Sequence, residues 1–492
     1  MGIIIKQSIK GSIWSYLGVG IGFITTAYLF PNYLTTDTIG LFSLLLAWSV
    51  LFAQLSSLGF QGITGRLFPW FRNKENNHNG YLFIAFAVMF LGFSLFLILF
   101  WFMNSWLVES NLEKSKLFAD YLYLLIPLTF FTLLFTQLDV FNKLLYDAVF
   151  GTFLQEFLQR LLILLATLLF VFRFINIHQL ILAYAALVST KGVIIFVYLL
   201  IKKEISFRPQ LQFVKPTLRK EMISVGLFSI LTGLGSNIVF NIDKILINQM
   251  LGLSQTGVYT IAFFFGTLVI IPSRTLLRIS GTLIADAFKR KDLGYIADIY
   301  RRSCLNQFII GAFLFGGIWI NIDNILVILG PDYEGAKWVV FFIGLGYLVD
   351  MMTGANAQII AFSKHYRVAL YFILILIILV VATMFILVPL WGITGAAIAI
   401  AASITANNFM RFLFLKLKYN MQPFDRKILV AGFVFVFSVL VSNLIPQVQL
   451  LPDIFLRSTL FTIIFAALTV GLKISEDVEQ MKIKWINKLL KN

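Results

Sequence analysis

Glu156 and Arg160 stand four residues apart inside an apolar run, with the acid first, the order in which an i,i+4 pair attracts on a helix. Lys191 interrupts the next apolar run, with no acidic neighbour in its own helix. Asp243 and Lys244 interrupt a third, downstream of Asn237 and Asn241, and Asp350 stands alone in a fourth. A charge in hydrocarbon costs at least about 2.5–3.5 kcal/mol, so each of these groups needs a partner or a watery cavity. The chemistry they can do is ionic. A guanidinium fork and an ammonium suit an anion, above all phosphate oxygens. Buried carboxylates suit a carried proton or Na⁺. Nothing matches a metal site or cofactor pocket: Cys304 is the single cysteine, and His78, His178 and His365 all fall in or near loops. The Gly-rich loop with Lys-Ser/Thr that cradles ATP is also missing.

Each charge carries a plainer reading beside the functional one. Glu156–Arg160 is either a self-compensating pair that packs helices, or an arginine facing an aqueous cavity with Glu156 tuning it. Lys191 is either neutral in a dry site or cavity-facing and anion-binding, and lipid exposure would be the costliest arrangement. Lys244 can snorkel to the surface. Yet Asn237, Asn241 and Lys244 follow i, i+4, i+7 spacing, one polar stripe that implies a wet or protein-facing side. Adjacent residues diverge by about 100° on a helix, so Asp243 and Lys244 need not pair. Asp350 can carry a proton, coordinate Na⁺ or bridge to a neighbouring helix.

The elements that must hold these groups are membrane crossings. The chain is 59% hydrophobic and 13% charged, the composition of an integral membrane protein. Fourteen runs are long enough to span a bilayer: 12–30, 39–60, 81–103, 118–138, 147–172, 178–201, 222–247, 256–275, 304–322, 337–362, 367–388, 392–415, 428–445 and 454–472. With both termini in the cytoplasm, this threading places 31 of the 39 lysines and arginines on the cytoplasmic side and 5 outside, leaving Arg160, Lys191 and Lys244 within crossings. That asymmetry is the positive-inside rule, and one missed helix would invert every later loop. The net charge of +16 is therefore explained by orientation and anionic headgroups, with no nucleic-acid partner needed. Lys6 and Lys10 precede an apolar run from Ile13 to Phe30, longer than a signal core and read as a retained first crossing. Loops are too short for a soluble domain, and the mixed stretch Ile279–Ile299 is expected to lie as an interfacial helix. Gly18, Gly20 and Gly22, and Gly226, Gly233 and Gly235, are close-packing positions or hinges.

A weak internal repeat divides the chain. Asp37-Thr-Ile-Gly40-Leu-Phe-Ser43 matches Ser254-Gln-Thr-Gly257-Val-Tyr-Thr260. Phe141-Asn-Lys143 matches Phe362-Ser-Lys364, and Ile177–Ala183 matches Ile393–Ala399. The common offset of 216 to 221 residues predicts two six-helix lobes, 1–215 and 216–420, followed by a helix pair with a basic tail, 421–492. Parallel repeats of this kind hold substrate between halves in transporters.

Asn241-Ile-Asp243-Lys244-Ile-Leu-Ile, then Leu251-Gly252, Thr256-Gly257-Val258-Tyr259 and Ala262, resembles the seventh-to-eighth-helix signature of polysaccharide export proteins. These belong to the multidrug/oligosaccharidyl-lipid/polysaccharide exporter superfamily, and fourteen crossings resemble its O-antigen type flippases. The resemblance implies an all-α transporter, not an enzyme, in a bacterial cytoplasmic membrane. It implies that a polyprenyl-diphosphate-linked oligosaccharide crosses for surface polysaccharide or lipopolysaccharide biosynthesis, with Arg160, Lys191, Glu156, Asn237, Asn241 and Lys244 toward substrate and Asp243 and Asp350 toward ion coupling. It implies no cofactor, and as partners membrane lipids, a polysaccharide polymerase and glycosyltransferases. A multidrug exporter of the same superfamily is the nearest alternative, predicting a cavity dominated by acids. A membrane polymerase or ligase is more distant, since it needs a substantial external loop.

Overall fold

The computed structural model describes residues 2–477 and 479, and is helical throughout its regular structure. Lys482, Lys484, Lys488 and Lys491 of the predicted basic tail lie outside the described residues. The main helices are α1 (Gly2–Phe23), α2 (Thr36–Ser56), α3 (Phe60–Phe71), α4 (Tyr81–Glu109), α5 (Leu125–Leu144), α6 (Ala148–Val171), α7 (Ile177–Ile201) and α8 (Pro216–Leu251). They continue as α9 (Leu253–Arg290), α10 (Leu293–Trp319), α11 (Ala336–Met352), α12 (Val368–Tyr419), α13 (Arg426–Asn443) and α14 (Leu450–Gly471).

Ten continuous helices among the described residues are long and apolar enough to cross a membrane, and three bent pairs raise the number to 13. One of the ten, α12, has 52 residues, more than twice what a bilayer core of about 30 Å needs. It is broken at Trp391 and Gly392, where Gly392 takes φ +57° and ψ −137°. The halves fold back on each other, with Thr383 and Ser403 hydroxyls 3.3 Å apart and the Phe372 and Phe414 rings 6.0 Å apart. Counted as two, α12 completes the fourteen crossings read from the sequence. This is an all-helical, multi-pass membrane protein.

Local chemistry sets several boundaries. Thr35 accepts from the Thr38 amide at the start of α2, and Asn176 with Gln179 forms a full capping box before α7. The stretch Ile279–Ile299 is not one interfacial helix. Lys291 adopts a left-handed φ of +59°, ending α9, and Asp292 accepts from the Tyr295 amide to start α10.

Contacts group the chain into two compact units, 1–260 and 261–492. In the first, α2 is the most enclosed of the long helices, and an aromatic core of Phe68, Phe71, Tyr81 and Phe141 ties α3, α4 and α5 together. The Tyr81 hydroxyl and the Gln137 amide both donate to Thr64, so these buried polar side chains are bonded to one another. The two copies of this repeat segment meet in this unit, at equivalent or neighbouring positions. Thr36 and Ser254 hydroxyls are 2.7 Å apart, and Thr260 donates to Ser43 across 2.9 Å. Between them the backbones touch: a Cβ added at Gly257 would lie 1.9 Å from the Thr36 carbonyl oxygen, and one at Gly40 2.2 Å from that of Leu253. Small residues buy this approach in membrane helices. Gly257→Ala is therefore expected to lower thermal stability in detergent by about 1–3 kcal/mol. Gly20→Ala, where a Cβ meets nothing within 4 Å, is the matched control and should be neutral.

In the second unit, α11 packs on α12, with Gly346 against Ala401, and α10 packs on α13 and α14 through Phe313, Phe315, Phe435, Phe461 and Phe465. Asp453 and Arg457 of α14 form a buried pair at 2.7 Å, completed by Asn324 donating to Asp453 and Arg457 donating to the Ile445 carbonyl.

Candidate functional site

α6 is built to place its two charges beside α1. Its residues Phe153–Leu158 form a π-helical turn, a local widening that recurs at functional sites, and Ile24–Leu29 does the same after α1. Gly18 and Gly22 open the facing surface of α1. A Cβ at Gly18 would lie 1.8 Å from the Glu156 carbonyl oxygen, and one at Gly22 3.1 Å from the Arg160 guanidinium. Arg160 Nη2 donates to Glu156 Oε2 at 2.7 Å, and its Nη1 to the Gly18 carbonyl at 3.0 Å. About a third of the Arg160 side chain, 32%, stays accessible, against 23% for Glu156. The pair is thus neither sealed nor extended into the surroundings.

Lys191 of α7 lies in the same helical unit. Partly buried, it holds Nζ 5.0 Å from the centre of the Phe135 ring, within range of a cation–π attraction. The carboxylates of Glu156 and Asp139 both act on its charge. Asp139, on α5, was not foreseen. It accepts from Lys143 through Oδ2 at 2.5 Å, while its buried Oδ1 finds no hydrogen-bond donor among the described residues and lies against Gly151. Two ion pairs, Arg160–Glu156 and Lys143–Asp139, therefore share one helical unit with Lys191. The arrangement can exchange one anionic partner for another, since a phosphate approaching Arg160 meets donors already aimed at a carboxylate.

The α8 residues form a separate polar line. Asn237 donates to Gln54 of α2 at 3.0 Å, and Asn241 donates back to the Asn237 carbonyl. α8 bends by 43° between Gly235 and Asn237. Asp243 is buried and does engage Lys244, at 3.5 Å, because its Oδ1 also accepts the Lys244 amide and so turns along the helix. Its Oδ2 accepts from Tyr259 at 2.9 Å, and Lys244 Nζ reaches the Phe240 carbonyl at 3.1 Å.

Asp350 lies in the other unit. Asn408 donates to it at 2.7 Å and is itself bonded by Asn356, while the charge of Arg411 acts on it. Arg411, counted from the sequence among the cytoplasmic-side cations, lies within α12. The structure thus pairs Arg160 with Glu156, places Lys191 in the same unit, strings Asn237, Asn241, Asp243 and Lys244 along α8, and has Asp350 in the other unit. Among the described residues no three His, Cys, Asp or Glu side chains gather as a metal site.

The family described as polysaccharide biosynthesis protein matches residues 7–284, more than half the chain. The chain belongs to that family. Its fold is similar to that of the lipid II flippase MurJ in an inward closed conformation, with a TM-score of 0.73 at 14% identity over 95% of this chain and 100% of that one. An inward-facing multidrug resistance MATE transporter of the MOP superfamily matches with a TM-score of 0.63 at 17% identity, over 83% of this chain and 94% of that one. At such identities the likeness is one of fold. No curated protein sequence matches the chain.

Proposed function

We propose that this member of the polysaccharide biosynthesis family is a flippase for a polyprenyl-diphosphate-linked oligosaccharide, of the kind consumed in O-antigen or related surface polysaccharide assembly. The observation that carries this reading is the presence of Arg160 and Lys191 inside an apolar helical bundle, with Lys143 half-exposed at the end of α5. Moving a diphosphate and sugar hydroxyls through hydrocarbon is prohibitive without hydration and counter-charge. These cations supply the counter-charge, and Glu156 and Asp139 keep them from binding any one anion too tightly to release. The prenyl tail stays in lipid, and no bond is made or broken.

In this reading residues 1–215 and 216–420 act as the two repeats of an alternating-access cycle, with 421–492 appended. Asn237, Asn241 and Lys244 present polar groups to the moving head, and the bend in α8 is where that helix changes shape. Asp243 and Asp350 are the coupling acids. The cation-rich loops face the cytoplasm, where the donor lipid is made, so the protein sits in the bacterial cytoplasmic membrane beside glycosyltransferases and a polymerase.

The test is complementation. In a bacterium lacking its own flippase but making the matching lipid-linked glycan, expression of the chain should restore surface polysaccharide, and Lys191→Ala should lower it roughly tenfold at equal protein level. Unrestored polysaccharide together with raised resistance to cationic drugs would replace this reading with that of a multidrug exporter.

A further inference from the structure

A cavity of about 640 Å³ opens among α3, α4, the first turns of α8 and the segment that precedes it. Its walls include Leu58, Ile63, Ile84, Val88 and Met222, and Arg219 is the one charged residue that lines it. The volume is that of a ligand site, and apart from Arg219 its side chains are apolar, so it offers little to the hydroxyls of a sugar. Ile223 and Leu227 also line it and are 55% and 61% exposed, so apolar side chains stand open at its mouth.

The cavity is built into the backbone. Leu58 takes a left-handed φ of +46° and Gly59 follows at +73°, a turn that swings Leu58 onto the wall. A non-glycine residue keeps such a conformation only where its surroundings enforce it. A Cβ at Gly59 would lie 2.0 Å from the Gly226 carbonyl oxygen, which closes the floor between α2 and α8.

The entrance is cationic. Arg219 is exposed and makes no ion pair among the described residues, and the neighbouring Lys215 and Lys220 are exposed as well. Lys215 stands just before α8 and Arg219 and Lys220 in its first turns, a cluster that attracts anionic headgroups. We infer that this cavity is a lipid site that takes one hydrocarbon chain of an anionic glycerophospholipid, with the phosphate on Arg219. It is separate from Arg160 and Lys191 and does not depend on the transport reading. The apolar lining selects a chain, and the charge at the mouth selects the headgroup.

Native mass spectrometry of the purified protein, titrated with phosphatidylglycerol and with phosphatidylcholine of the same chains, tests this. Phosphatidylglycerol should bind roughly five- to tenfold more tightly. Arg219→Glu, a change at an exposed position, should abolish that preference. Val88→Trp, which fills the cavity, should weaken both lipids at an unchanged melting temperature. Equal affinity for the two headgroups, or a preference that survives Arg219→Glu, overturns the proposal. So does undiminished binding in Val88→Trp, which would mark the lipid as part of an unspecific shell. Displacement of phosphatidylglycerol by polyprenyl phosphate at equal concentration would also overturn it, by giving the cavity to the substrate's tail.

Discussion

Arg160→Ala is expected to reduce export of the glycan by roughly ten- to a hundredfold at undiminished protein level, because each hydrogen bond to a charged group contributes about 1.5–3 kcal/mol. Arg160→Lys should fall between the two, since an ammonium keeps the charge and loses the fork that holds two phosphate oxygens. Arg160 also bonds Glu156 and the Gly18 carbonyl, so loss of export alone would not separate binding from scaffolding. The double variant Glu156→Gln with Arg160→Ala separates them. A scaffolding role predicts recovery once the stranded carboxylate is neutralised, whereas substrate binding predicts continued loss. Surface polysaccharide measured against protein abundance reads both outcomes.

The largest stability effect is expected at the other end of the chain. Arg457→Ala strands Asp453, which is 2% exposed, and removes the donor to the Ile445 carbonyl. Breaking a buried pair from one side costs about 3–5 kcal/mol, because the remaining charge keeps its desolvation penalty and loses its partner. Replacing both residues, as Asp453→Leu with Arg457→Met, should recover most of that loss, since a packed apolar pair carries no such penalty. Thermal unfolding in detergent distinguishes the two. If the double variant is as unstable as the single, the cost belongs to lost packing and not to the stranded charge.

The crossings were legible because hydrocarbon demands long apolar runs, and the cations between those runs orient them. Glu156, Arg160 and Lys191 were legible for a related reason: a charge in the middle of such a run is costly enough to stand out. Asp139, Arg411 and the Asp453–Arg457 pair escaped notice because they lie at or near the ends of runs, where a charge costs little and does not stand out. Only the packing of α5 against α6 and α7 puts Asp139 in the same helical group as Lys191. Gln54 carries no charge and gave no signal, although it meets Asn237 across two helices. The repeat identified Gly40 and Gly257 as equivalent positions. That they are also in contact is a fact of three dimensions, since equivalence in sequence says nothing about adjacency. The π-helical turns in α6 and after α1 follow from how the two helices meet and have no residue signature.

The most direct measurement is transport by the purified protein in liposomes. A lipid-linked oligosaccharide placed in one leaflet should reach the other, as read by a lectin or a sugar-modifying reagent confined to one side. The wild type should move it many times faster than protein-free liposomes and faster than the Arg160→Ala variant, and a cationic dye should not be carried. Movement of the dye with no movement of the glycan lipid, or equal glycan-lipid flipping by wild type and Arg160→Ala, would contradict the account.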